Sequence, residues 1–242
     1  MKISEKINMG TGDLIKNGPI TIVAFGDSVT HGAVGFDEID YETVYWNRLK
    51  KMINKVRDYV PVNVINAGIG GVCAANSIDR MDSQVLSHNP DLIIVCFGLN
   101  DVNGDLDWYL DSMRTIFKKC NDAKVDTIFL TPNMLNSYVL DETPEPLRNY
   151  ATKLADFQTN GKMDLFMEEG CKLAEKMGIK VCDCYSEWKK LSETQDTTKL
   201  LANGINHPTR EMHKLFAEKL FNVIFEDCPE IIEGNNNTMY EE

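Results

Sequence analysis

Four short blocks of the sequence hold residues that could do chemistry. Gly26-Asp27-Ser28-Val29-Thr30 offers a hydroxyl, and Asn66-Ala67-Gly68-Ile69-Gly70-Gly71 a run of small backbone. Gly98-Leu99-Asn100-Asp101 offers an amide and a carboxylate, and Asn206-His207-Pro208 an imidazole. Together these are the parts for acyl transfer, which needs a nucleophile, a base, and donors aimed where an oxyanion develops. A serine hydroxyl is a weak nucleophile until a base takes its proton. His207 is the natural base for Ser28, because imidazole titrates near neutral pH. Small backbone at Gly71 lets its N–H approach a substrate closely. Asn100 adds a side-chain N–H, so Gly71 and Asn100 are the candidate oxyanion donors. Asp27 and Asp101 are expected to support the site loops through local backbone hydrogen bonds.

Elements must bring these blocks together. Five apolar runs, Ile20–Phe25, Val62–Ile65, Leu92–Phe97, Val125–Leu130 and Ile179–Cys182, are rich in Ile and Val and lack clean alternation. Burial on both faces produces that pattern, as in a parallel sheet. Between and after them lie apolar stripes at helical spacing. One comprises Tyr45, Leu49, Met52, Ile53 and Val56. A second comprises Leu106, Leu110, Met113, Phe117 and Cys120, with Asp105 as expected N-cap. A third comprises Met163, Phe166, Met167, Gly170, Cys171 and Ala174, stopped by Gly178. The last comprises Met212, Leu215, Phe216, Leu220, Val223 and Ile224. Strands alternating with helices predict a single three-layer α/β/α sandwich, flavodoxin-like, on a five-stranded parallel sheet. In such sheets ligands bind outside the carboxyl ends of the strands. The first three blocks each follow a predicted strand, and the fourth precedes the last helix, so all four are expected at one edge. The expected domain is 20–228, with an N-terminal extension at 1–19. Residues 229–242, acidic and Asn-rich, are expected to be disordered. The segment 132–161, with Pro144 and Pro146, is long for a connection and expected to be partly helical.

Gly-Asp-Ser after the first strand, a glycine block after the second, Gly-x-Asn-Asp after the third and His-Pro before the last helix resemble the signature of SGNH hydrolases, the GDSL-type lipases and esterases. The resemblance spans about Ile20 to Phe225. It implies a serine esterase with Ser28 as nucleophile and His207 as base, no cofactor and no metal. It also implies that the backbone N–H of Ser28 joins Gly71 and Asn100 in the oxyanion hole. The family pattern has Asp three residues before the histidine. Here that position is Gly204, preceded by Asn203. Three acceptors remain open for the far ring nitrogen: the side chain of Asn203 or Asn206, a backbone carbonyl of their loop, or an acid from elsewhere. The loop carbonyl is favoured, which makes a Ser–His dyad with Asn203 and Asn206 as loop supports. Relatives with a similar Asn-His-Pro block act on acetylated carbohydrates, so a small acyl group on a sugar is the first expectation for the substrate. A lysophospholipase or thioesterase is an alternative, as is a non-catalytic carbohydrate-binding protein on the same fold.

Plainer readings compete residue by residue. Ser28 alone reads as a helix N-cap in a turn. His31 could line the cleft, His88 reads as a surface turn residue, and His213 as a structural residue on the last helix. Gly68-Ile69-Gly70 resembles the start of a dinucleotide fingerprint, but Cys73 stands where the motif needs Gly or Ala. Trp46, Trp108 and Trp188 read as structural rather than as sugar platforms. Cys182 and Cys184 lack a histidine at zinc spacing. The seven cysteines are scattered in apolar stretches and read as reduced thiols. A net charge of -12 argues against nucleic-acid partners and anionic membrane surfaces. Six acids and no Lys or Arg lie between Glu226 and Glu242. The polar first nineteen residues lack the apolar core of a signal peptide, so a cytoplasmic enzyme is expected.

Overall fold

The computed structural model describes residues 2–239, with side chains to 235. Five parallel strands form one sheet in the order β2-β1-β3-β4-β5. They are β1 (Ile20–Gly26), β2 (Val62–Gly68), β3 (Leu92–Cys96), β4 (Asp126–Leu130) and β5 (Lys180–Cys182). Twelve helices flank it. The N-terminal ones are α1 (Ile3–Lys6), α2 (Thr11–Asn17), α3 (Ser28–His31) and α4 (Tyr45–Val56). After β2 come α5 (Ala74–Ser77) and α6 (Met81–Gln84), and after β3 comes α7 (Leu106–Asp122). The C-terminal half adds α8 (Glu145–Thr159), α9 (Lys162–Lys176), α10 (Cys184–Ser192), α11 (Met212–Ile224) and α12 (Pro229–Met239). This is the three-layer α/β/α architecture expected from the sequence.

The central strands explain why alternation is missing. Every residue of β3 is buried, and all of β1 except Thr21. Helices cover both faces, so each Ile or Val contributes about 1.5–3 kcal/mol by leaving water. The edge strand β2 is only partly buried, as edge position allows. Two helical stripes are rotated from the sequence reading. In α11 the buried residues are His213, Phe216, Ala217, Leu220 and Phe221, leaving Met212, Leu215, Val223 and Ile224 half-buried. In α7 Tyr109 and Ile116 join the buried face while Leu106 and Leu110 stay at its margin. Asp105 occupies the N-cap position of α7, but its side chain makes no capping bond.

Both described ends pack on the domain, and the helix at the C-terminal one differs from expectation. Ile3 and Ile7 belong to the core, and Lys6 donates to a largely buried Asp91 at 2.8 Å, so the N-terminal segment is packed on the domain. Pro229–Met239 is helical, and Ile231 and Ile232 pack against the core. Two apolar side chains in the acidic segment outweigh the composition that predicts disorder there. Residues 240–242 of that predicted tail lie outside the described residues. Segment 132–161 contains α8, entered at Pro144. Its first part is a buried buttress: Asn133 Nδ2 donates to Asn206 O at 2.9 Å, and Asn136 N donates to Ile205 O at 2.9 Å.

Candidate active site

The strand order reverses between β1 and β3, which leaves a crevice at their carboxyl ends. Ser28 follows β1 there as the first residue of α3. It is not the helix cap. Asp27 is, its Oδ1 accepting from Val29 N at 3.0 Å. Ser28 Oγ lies 3.1 Å from His207 Nε2. His207 Nδ1 lies 3.0 Å from the carbonyl oxygen of Gly35. A carbonyl only accepts, so Nδ1 carries the proton and Nε2 is the acceptor facing the serine hydroxyl. Burial holds the His207 pKa below its ordinary value, with the Gly35 hydrogen bond acting in the opposite direction. The imidazole is therefore neutral at pH 7 and able to accept a proton.

The acceptor is a backbone carbonyl, but not one from the loop that carries the histidine. Three carbonyls at and next to that loop are engaged elsewhere. Ile205 O takes Asn136 N, Asn206 O takes Asn133 Nδ2, and His207 O takes Ala202 N at 2.7 Å. Asn203 and Asn206 instead shape the loop. Asn203 Oδ1 accepts from the backbone N–H of Ile205, Asn206 and His207 at 2.9–3.0 Å, and its amide donates to Asn206 Oδ1 at 2.9 Å. Gly204 adopts φ +63° here, and a Cβ on it would meet Leu140 Cδ1 at 2.5 Å. The position where the family carries its acid is thus built for glycine.

The oxyanion candidates meet across the crevice. Asn100 Nδ2 donates to Val72 O at 3.0 Å, which ties the end of β3 to the loop bearing Gly71. One amide hydrogen is used in that bond and one remains. Ser28, Gly71, Asn100 and His207 line one cleft of about 490 Å³. Asp101 Oδ1 accepts from Ala74 N at 2.9 Å, so it supports the glycine loop as Asp27 supports α3. Both carboxylates are buried, and each has a second oxygen, Oδ2, without a hydrogen-bond partner. Burial pushes Asp27 up to about 7, with the neighbouring Asp101 charge adding to it, and pushes Asp101 up to about 6.

The competing residues separate clearly. His31 Nδ1 accepts from Gly70 N at 3.3 Å and its Nε2 lies 3.4 Å from Tyr41 Oη, so it holds the glycine loop. A Cβ on Gly68 would meet His31 N at 2.3 Å, so that glycine permits close packing of α3 on β2. His88 is exposed, before left-handed Asn89, and His213 is fully buried, its Nδ1 accepting from Tyr45 N at 3.3 Å. Trp46 donates to Thr30 O, Trp188 is fully buried, and no tryptophan lines the cleft. Residues not anticipated from sequence include Gly35, which contributes only a carbonyl. Others are Phe36 and Ile39 on the same loop, and Leu147 and Tyr150 of α8, which form apolar walls. A second cavity of about 340 Å³ lies at the opposite edge of the sheet, lined by Asp91, Asp126 and Lys180.

A hydroxyl beside a neutral imidazole at a topological switch point is an arrangement suited to a serine hydrolase on an open parallel sheet. Comparison with known proteins agrees. The model of the GDSL-like Lipase/Acylhydrolase family matches residues 24–215. The chain belongs to this family of lipases and acylhydrolases. Axe2, an acetylxylan esterase from Geobacillus stearothermophilus, is 19% identical and superposes with a TM-score of 0.65 over 85% of this chain and 94% of that one. Axe2 has also been solved as catalytic mutants at a serine, a histidine and an aspartate three positions before that histidine. LAE5, an alpha/beta hydrolase enzyme from the metagenome of Lake Arreo, is 17% identical with a TM-score of 0.63 over the same shares. A Bacillus subtilis protein, the uncharacterized lipoprotein YqeF, is 33% identical over 81 residues. That match spans 33% of this chain and 31% of YqeF. Among the described residues no helix is long and apolar enough to cross a membrane.

Proposed function

We propose that the protein removes a small acyl group from a neutral, hydroxyl-rich substrate such as a carbohydrate, by a Ser–His acyl-enzyme mechanism. The observation that carries this reading is the chain of contacts Ser28 Oγ, His207 Nε2, His207 Nδ1, Gly35 O. His207 takes the hydroxyl proton as Ser28 Oγ attacks the ester carbonyl. Negative charge on the carbonyl oxygen is met by the N–H groups of Ser28, Gly71 and Asn100. Collapse breaks the bond to the alcohol oxygen, which takes the proton from His207. Water then repeats the sequence on the acyl-enzyme and frees the acid.

The cleft walls favour a neutral substrate. The lining residues include Asp37 and Glu38 and no Lys or Arg. Phosphate-bearing substrates, such as a lysophospholipid or a coenzyme A thioester, would meet acids and no cation. Phe36, Ile39, Leu147 and Tyr150 supply apolar faces against which a sugar ring can stack. Axe2, which shares the fold, is an acetylxylan esterase. The preformed Ser–His contact argues against a purely binding protein, which has no need to hold an imidazole on a hydroxyl. A cytoplasmic setting belongs to this proposal, and cell fractionation tests it. Hydrolysis of p-nitrophenyl acetate and octanoate by wild type, Ser28→Ala and His207→Ala tests the mechanism and the acyl size. The acetate should turn over faster, and both variants should be inactive. Undiminished turnover in Ser28→Ala would remove the nucleophile assignment.

A further inference from the structure

The carbonyl that faces His207 belongs to an exposed loop. Phe36, Asp37, Glu38 and Ile39 are all exposed, whereas Ala33 and Val34 before Gly35 are buried, so packing anchors the loop on one side of Gly35 only. The loop is closed on itself by an antiparallel bridge between Ala33 and Ile39 and by Val34 N donating to Glu38 O at 2.9 Å. Neither contact fixes it relative to the histidine. Ala33 N donates to Ser28 O at 2.9 Å and ties the start of the loop to α3, while the link from its far side to the segment bearing the histidine comes from Arg210, three residues after His207. Its Nε donates to Asp40 Oδ2 at 2.7 Å, and its terminal nitrogen pairs with Glu38 Oε1. Both ends of the link are anchored. Asp40 accepts from Glu42 N, Thr43 N and the Thr43 hydroxyl, at 2.8–3.0 Å. Arg48 donates to Arg210 O at 3.1 Å and to Thr43 O at 2.7 Å.

We propose that Arg210 is a positioning residue for His207, holding through Glu38 and Asp40 the loop that presents the Gly35 carbonyl to His207 Nδ1. The inference rests on the reading of Ser28 and His207 given above. The Gly35 carbonyl takes the hydrogen bond for which the family pattern places a carboxylate three residues before the histidine, and Arg210 holds the loop that presents it. A forked guanidinium suits the task because it engages two carboxylates in fixed relative positions. The ion pairs are partly exposed, with Arg210 and Glu38 side chains 40% and 60% accessible. Exposed pairs add little to stability. Losing Arg210 should therefore disturb the geometry of the base far more than the fold.

The test compares Arg210→Gln, Arg210→Lys and the control Lys51→Gln, which removes the nearby exposed pair with Glu42. On p-nitrophenyl acetate, Arg210→Gln should lower kcat about 10- to 100-fold, the cost of a misplaced catalytic group. KM should stay within about twofold, and Tm within about 4 °C. Arg210→Lys should recover part of the loss, because it can hold one carboxylate at a time. Lys51→Gln should match wild type. By proton NMR, the downfield His207 Nδ1–H resonance of wild type should shift or broaden in Arg210→Gln. Wild-type kcat with an unchanged resonance in Arg210→Gln would overturn the proposal, and so would a loss of kcat matched by a large fall in Tm. A wild type inactive on every ester would remove the esterase reading instead, while the resonance would still report on the clamp.

Discussion

Restoring the family's acid should fail in this protein, and Gly204→Asp is the variant that shows why. Position 204 has φ +63°, a conformation that costs a side chain about 1–2 kcal/mol, at the low end for Asp. The new Cβ would stand 2.5 Å from Leu140 Cδ1 and 3.3 Å from its Cγ, so Leu140 must swing away from the buttress. Strain and displacement together cost about 1–3 kcal/mol, which in a domain of this size lowers Tm by roughly 2–4 °C per kcal/mol. Nothing is expected in return, because the Nδ1 proton of His207 already has an acceptor in Gly35 O. The assay has a wide range. In serine proteases the triad acid is worth ~10⁴ in turnover, so an aspartate that took over the role would be obvious. The expected result is kcat on p-nitrophenyl acetate no higher than wild type, with a lower Tm. A tenfold rise in kcat would refute the idea that the carbonyl is this site's chosen acceptor.

The remaining predictions test the donors and the titrating groups. Asn100→Ala should lower kcat about 10²–10³-fold, the usual cost of one oxyanion donor, and a loss confined to KM would assign Asn100 to ground-state binding. Because burial lowers the His207 pKa, the acid limb of kcat/KM should be centred below pH 6.5, where the imidazole gains the proton that disables it as a base. An acid limb centred above 6.5 would contradict the depressed pKa. Asp27 has a folded pKa of about 7 against an ordinary 3.8, so the native state keeps a proton that the unfolded chain has released. Stability from this group is present below pH 3.8 and lost as pH rises to 7, by an amount on the order of 4 kcal/mol. Tm measured from pH 4 to 8 should decline less steeply in Asp27→Asn than in wild type, and parallel curves would show that Asp27 titrates normally.

The sequence by itself determined the sheet and which blocks gather at its carboxyl edge. Runs such as Leu92–Cys96 lack alternation because both faces are covered, and that burial leaves a direct mark in composition. Ser28 and Asn100 could be placed because each lies in the loop that leaves a strand, and His207 because it precedes α11. The faces of α7 and α11 were legible only approximately, because an apolar stripe does not say which of its margins a neighbour covers. The segment from Pro229 to Met239 was misread for a related reason: Ile231 and Ile232 are too few to outweigh local composition until the surface that receives them exists. Only the tertiary structure decided what holds His207. The carbonyl of Gly35 has no side-chain signature, since every residue carries one. In the Asn203–Asn206 loop, which looked like the source, the carbonyls of Ile205 and Asn206 are bound to Asn136 and Asn133. Arg210, Glu38 and Asp40 are ordinary surface charges in the sequence, separated by some 170 residues. They become a clamp because the fold brings the loop after α3 against the turn before α11, and long-range contact of that kind is fixed by packing rather than by local pattern.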